Sequence, residues 1–272
     1  MELPLLLKQL VKNVKVQKPK PVLWIQDVPS VKDIQDMKKE AAHDVKFDRL
    51  NIRSDFWRDL EKREAELLCY SCQYGKVVVL QRKEFPAKIP FALWGEILRQ
   101  FNIPFVRIFF FVSEKKRHLP AVGEEVGPEC VNGGYTFPCS LDGIVIYRAE
   151  EATRVLIHEL LHASCTDNAE DSEEMREART ETFAELFLVS FLSRGSVRAA
   201  KKLWGIQAQW IRDQNYVLAK KYGVTNWKKY CFRYTLAREI VLLEHGIELP
   251  EVPLTEPTSC RFTSEELDAM TY

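Results

Sequence analysis

The chain reads as an α+β fold, a small mixed sheet followed by a mainly helical C-terminal half. Three observations predict it. Two short β-branched or aromatic runs, Gly75–Leu80 and Val106–Val112, flank a helical pattern over Pro90–Phe101. A third run, Ile144–Tyr147, leads straight into a helical pattern from Ala149 to Ser164. Beyond Ser164 only long helical patterns follow, over Ser172–Leu192, Val197–Tyr222 and Trp227–His245, punctuated by Gly195, Gly223 and Gly246.

Each remaining segment has its own local reason. The first twenty-odd residues are Lys-rich and Pro-containing around Val16–Val22, which predicts an extended arm. Val31–Glu40 and Asp55–Leu68 carry spaced apolar residues among charges and read as surface helices. Residues 1–73 are therefore set apart as an N-terminal arm and helical segment, and 74–272 as the main domain. Leu119–Glu129 is a Pro- and Gly-rich loop. Val131–Thr136, with Gly133 and Gly134 adjacent, is a turn or a place where backbones approach closely. Asp142-Gly143 is a hairpin-turn signal that launches the Ile144 strand. The tail, with Pro250, Pro253 and Pro257, reads as extended.

Composition excludes several classes. Lys+Arg and Asp+Glu both number 39, so no basic nucleic-acid footprint dominates the surface. The apolar start before Lys8 is too short for a secretory leader, and no run elsewhere is long enough to span a bilayer. A soluble, intracellular, cytoplasmic protein is expected. Seven cysteines, an odd number, fit reduced and mostly buried thiols better than a disulfide framework. Cys69 and Cys72 form a lone CxxC, a weak metal or redox signal without a second pair.

The chemistry concentrates in one pentapeptide, His158-Glu159-Leu160-Leu161-His162. Two imidazoles four apart on a helix project from one side and can share one Zn²⁺. Glu159 stands beside the place of a water on such an ion and can take its proton. Chance HExxH matches are common, but here only Glu159 is charged between Val155 and Ala163, and two of only five histidines share the motif. A third protein ligand is needed for a catalytic ion. Cys165, three residues after His162, is more simply a small buried residue, and with Asn168 it breaks the longer HExxHxxGxxH pattern. Glu177, Glu181 and Glu185 share one face of the next helix, whose other residues are mostly apolar from Phe183 to Val189. Buried there without a partner, such carboxylates would be costly, and a cation would stabilise them.

HELLH, eighteen residues, then Glu181 in TETFAE resembles the gluzincin peptidases, closest to the HExxH-x18-E spacing of the zinc aminopeptidases. The resemblance spans roughly residues 130–190 and implies a zincin-like fold. It implies His158, His162 and Glu181 as ligands of one zinc ion, Glu159 as general base and Glu185 as a carboxylate orienting the first His. It also likens Ile144–Tyr147 to the edge strand lining a zincin's substrate cleft. The GxMEN exopeptidase motif is absent, so aminopeptidase specificity is not carried over.

Peptide hydrolysis also needs oxyanion stabilisation. The expected donors are Tyr234 and Arg238, four apart on the last long helix. His245, Tyr135 and Tyr147 are further candidates, and Asn132, Gly133, Gly134, Tyr135 and Tyr147 are expected to line the cleft. The function expected is a zinc metallopeptidase acting on peptide or protein substrates. The rival is a non-catalytic zincin-like module that binds a protein partner around a structural zinc, with Cys165 as a fourth ligand.

Overall fold

The computed structural model describes residues 2–14, 21–43, 48–141 and 143–272. In chain order its elements are α1 (Leu5–Val14), β1 (Ile25–Asp27), α2 (Val31–Ala42), α3 (Ile52–Glu61), β2 (Ala65–Cys72), β3 (Gly75–Arg82), α4 (Phe91–Phe101) and β4 (Val106–Phe111). There follow α5 (Pro128–Val131), β5 (Gly134–Thr136), β6 (Ile144–Ile146), α6 (Ala152–Ala163), α7 (Glu173–Leu192), α8 (Val197–Lys220), α9 (Leu236–Glu244) and α10 (Glu265–Ala269). They fall into two compact units. A sheet unit comprises Lys20–Lys116, Asn132–Thr166 and Tyr272. A helical unit comprises Met1–Pro19, Arg117–Val131 and Asp167–Thr271.

In the sheet unit the described strands form one mixed sheet, ordered β1-β2-β3-β4-β6-β5. β3, β4 and β6 run parallel in its middle, and antiparallel partners flank them. Parallel strands covered on both faces read as continuous apolar runs, which is why β3 and β4 are legible in the sequence. One face, with Cys69, Val78, Leu80, Phe109, Phe111, Val145 and Tyr147, packs on Met37 and Ala41 of α2 and Ile52 and Phe56 of α3. The opposite face meets α4 and α6: Trp94 packs on Phe110 and donates its indole N–H to Thr153 Oγ1 at 3.0 Å. Each large apolar side chain fully buried here contributes roughly 1.5–3 kcal/mol. Ser30 opens α2 with a capping box, its hydroxyl accepting from Asp33 N while Asp33 accepts from Ser30 N.

In the helical unit the apolar core joins Leu3, Leu7 and Val11 to Leu186 and Val189 of α7, Trp204 and Ile211 of α8, Leu242 of α9 and Leu267 of α10. Ser172 and Ser196 cap α7 and α8, each accepting from a backbone N–H three residues on. The Pro-rich tail is held by polar side chains of α8. Asp213 accepts from Leu254 N at 2.8 Å and Thr255 N at 3.0 Å, and Gln207 Nε2 donates to Phe262 O at 2.8 Å.

Several expectations change. The N-terminal arm is helical over α1, because Leu3, Leu7 and Val11 recur every fourth residue and have a core to enter. Residues 16–20 of the expected arm and Asp142 of the expected turn lie outside the described residues. The helix expected over Asp55–Leu68 stops at Glu61, where Arg63 takes a left-handed conformation (φ 65°), and Ala65–Cys72 pairs with β3 as a hairpin. The boundary expected after residue 73 passes through that hairpin. The helix expected from Trp227 begins only at Leu236, after a 3₁₀ turn at Tyr230–Phe232; its aromatic and β-branched opening has poor helix propensity. β6 is interior to the sheet, and β5 is one of its two edge strands, with β1 at the other end. No helix among the described residues is long and apolar enough to cross a membrane.

Candidate metal centre

Every residue of α6 is buried, so the helix lies covered on all sides within the molecule. Its only acidic side chain is Glu159. His158 and His162, one turn apart, bring their rings to 4.8 Å between centroids with the planes 73° apart. Their Nε2 atoms are 3.2 Å from each other. Two nitrogens bound to one tetrahedral zinc at 2.0–2.1 Å are separated by about 3.3 Å. The pair is thus spaced as two ligands of a single ion, and an N–H···N hydrogen bond is the other contact this spacing allows. Imidazole is a donor type that suits Zn²⁺.

Glu159 is only 5% exposed. Edge strand β5 lies against it. A Cβ added at Gly134 would stand 2.5 Å from Val155 Cγ1, 2.8 Å from Val145 O and 3.3 Å from Glu159 Oε1. Gly134 therefore meets the close-approach requirement that adjacent glycines imply. Its neighbours are tied down by backbone: Gly133 O accepts from Tyr147 N at 2.8 Å, and Asn132 O accepts from Arg148 Nε at 2.7 Å.

Strand alternation separates the tyrosines from this side. Gly134 faces α6, so Tyr135 points to the opposite face, where it joins Tyr147 in the cluster with α2 and α3. The Tyr135 hydroxyl accepts from Arg53 Nη1 at 2.7 Å and donates to Glu40, and the Arg53 guanidinium lies over both tyrosine rings. Burial above all, with Glu40 adding, raises the Tyr135 phenol far above its ordinary range despite Arg53. These two side chains belong to a structural network rather than to the face of Glu159. Sequence reasoning had no signal for that network, because Arg53 and Glu40 look like surface charges of α3 and α2.

The C-terminal end of α6 is clamped. Cys139 and Cys165 form a disulfide, and the backbone N–H groups of both donate to His162 O, at 3.0 and 3.2 Å. Cys165 is therefore neither the small buried thiol expected nor, while so bonded, a thiolate ligand. The other five cysteines are reduced.

The helical unit carries the other predicted residues. On α7, Glu181 and Glu185 are buried and Glu177 is half-buried. Arg238, fully buried, forms an ion pair with Glu185 and donates to Phe262 O at 2.9 Å and Gln214 Oε1 at 2.7 Å. That guanidinium, expected as an oxyanion donor, is engaged with Glu185 and the tail. Tyr234 precedes α9 and does not share a helix with Arg238. Its ring packs on Tyr230 and Phe262, and burial, reinforced by nearby Glu177, keeps its phenol protonated well above the ordinary range. His245 caps α9 and packs its ring against Phe183. Comparison of the chain with protein-family models, with curated proteins and with solved structures finds no match in any of the three.

Proposed function

We propose that the chain is a zinc-dependent hydrolase, a peptidase, with His158 and His162 as two ligands of one ion and a carboxylate of α7 as the third. The carrying observation is the 3.2 Å approach of the two Nε2 atoms beside buried Glu159. Glu185 already neutralises Arg238; Glu181 keeps the gluzincin spacing, with Glu177 one turn earlier on α7 as its rival.

Zinc, when bound, would polarise a scissile carbonyl and acidify water. Glu159 accepts the proton of the attacking water and returns it to the leaving amine. The low exposure of α6 keeps bulk water from competing for that proton. β5 ends the strand order, so an extended peptide can add to its outer backbone edge. Tyr234 is the donor that the sequence assigns to the oxyanion.

The test is metal content together with cleavage of a peptide library. Glu159→Gln should retain zinc and lose hydrolysis by at least about a hundredfold. His162→Ala should lose the metal. Glu181→Gln and Glu177→Gln separate the rivals by which one releases zinc. Full hydrolysis by the Glu159→Gln protein rejects the mechanism. A fully occupied zinc site without cleavage of any peptide favours the structural-zinc reading, which the Cys139–Cys165 bond otherwise weakens.

A further inference from the structure

The two ends of the sheet are finished differently. The three residues of β5 are half-buried, whereas all three of β1 are exposed. β1 ends the strand order, so its outer backbone edge has no strand partner among the described residues. Folded proteins protect such edges with a lysine, a proline or a bulge in the strand. Ile25-Gln26-Asp27 contains no lysine or proline, and its register with β2 runs without a bulge. Pro21 and Pro29 only bracket it.

The segment is held from one side and bare on the other. Trp24 donates its indole N–H to Phe91 O at 2.9 Å, and Val22 lies so close to α4 that a Cβ on Gly95 would stand 2.7 Å from its own. Alternation turns Leu23 and Ile25 to the opposite face, that of α2. The first turn of α2 lies at the level of Ile25: Asp33 pairs with Lys76 at 2.9 Å, and Lys76 and Ile25 are both register partners of Ser71. Val31 and Ile34 on that turn are exposed, as is Val28 in the connection. Leu23, Ile25, Val28, Val31 and Ile34 are thus five large apolar side chains, each 42–88% exposed, within residues 23–34. Together they present on the order of 600 Å² of apolar surface, as much as a monomer ordinarily shows in its largest patch.

We propose that this edge is the interface with a second copy of the chain, β1 pairing antiparallel with its own counterpart about a two-fold axis at Ile25. An isologous contact uses one patch twice, so a single self-complementary edge is enough. The apolar side chains alone come close to the about 800 Å² per partner of a standard interface, before backbone and flanking atoms are added. Centring the pair on Ile25 sets that residue against Ile25 of the second copy and keeps the two Asp27 carboxylates apart, each opposite a Leu23. Asp27 already accepts a hydrogen bond from the Ser71 hydroxyl. Acidic and basic side chains number 39 each, so no net charge drives the copies apart. A single added peptide strand would cover the backbone edge and leave Val31 and Ile34 bare, whereas a second copy brings its own α2 up to them.

Sedimentation velocity of the full chain over about 1–300 µM is the test. The mass should rise from one chain toward two as concentration increases. Ile25→Lys and Val31→Lys, at positions exposed in the monomer, should each weaken association by at least about tenfold without changing the melting curve. Leu254→Lys, an equally exposed apolar position in the tail, should leave it unchanged. The register is read by Ile25→Cys. Directly opposed residues of an antiparallel pair have Cα atoms about 4.5–5.5 Å apart, within disulfide range. Mild oxidation should therefore join two chains, and mass spectrometry should find the segment around position 25 linked to itself. A single-chain mass at every concentration overturns the proposal, even if the edge then binds an extended peptide. So does a dimer undiminished by both lysine substitutions, one lost with Leu254→Lys, or one in which the introduced thiols do not join.

Discussion

The two units solve the same problem with different materials. In the sheet unit, β3 and β4 bury valines, leucine and phenylalanines on both faces, and polar side chains enter chiefly at α6 and around Arg53. In the helical unit, Arg238, Glu185, Gln214, Gln207 and Asp213 are all buried and bind helices and tail to one another. Apolar burial is non-directional, so it fixes which faces pack but tolerates small shifts. A buried ion pair is directional and costly to break, so it fixes one arrangement at the risk of a large loss. The difference teaches where the candidate chemistry is held most rigidly: Glu185 is clamped by charge, while the two histidines are placed by helix geometry and packing.

The comparison can be broken most decisively at Arg238. Arg238→Ala strands Glu185 in the interior and should cost about 3–5 kcal/mol in denaturant unfolding. An Arg238→Met/Glu185→Leu pair should recover much of that loss, and a double variant as unstable as the single one would show that packing, not charge, holds the site. On the sheet side, Gly134→Val forces side-chain atoms against Val155 and the Val145 carbonyl. It should cost about 1–3 kcal/mol by the same assay and lower any hydrolytic activity with it.

Tyr135→Phe removes the hydroxyl shared by Arg53 and Glu40 and should cost about 1–2 kcal/mol in stability. It should leave zinc content unchanged, since Tyr135 faces away from α6.

A pH titration sharpens the same contrast. Burial pushes the Asp33 carboxyl up, but hydrogen bonds from Lys76 and Ser30 outweigh it and hold it far below the usual carboxylate range. A depressed folded-state value means that the contribution is fully present above the unfolded value of about 4 and is lost as pH falls toward the folded one. Asp33→Asn should therefore narrow the stability gap to wild type as pH drops below about 4, read from unfolding midpoints. A gap constant down to strong acid would mean that Asp33 acts only as the cap of α2.

The smallest effect is expected at the disulfide. Reducing Cys139–Cys165 should speed proteolysis within residues 137–143 while the helical unit stays resistant.

Much of the candidate centre was legible because it is local. His158 and His162 share a helix face by spacing alone, and the glycines at 133 and 134 announced a close approach. β2 was not legible: Glu64, Glu66 and two leucines look helical until β3 offers cross-strand partners. Nor was α1, whose apolar stripe is too short to be stable alone. The ranking of α7 carboxylates was only half legible, since spacing puts three on one face and cannot say that Arg238 claims Glu185.

The amino-acid sequence by itself determined the α6 motif and the buried strands β3 and β4, because periodicity acts within a few residues. The tertiary structure alone decided that β5 lies at an edge of the sheet, that Tyr135 turns from Glu159 and that Cys139 meets Cys165. Each of these joins residues far apart in the chain, where pairing depends on which surfaces the folded backbone brings together and not on any pattern a short window carries.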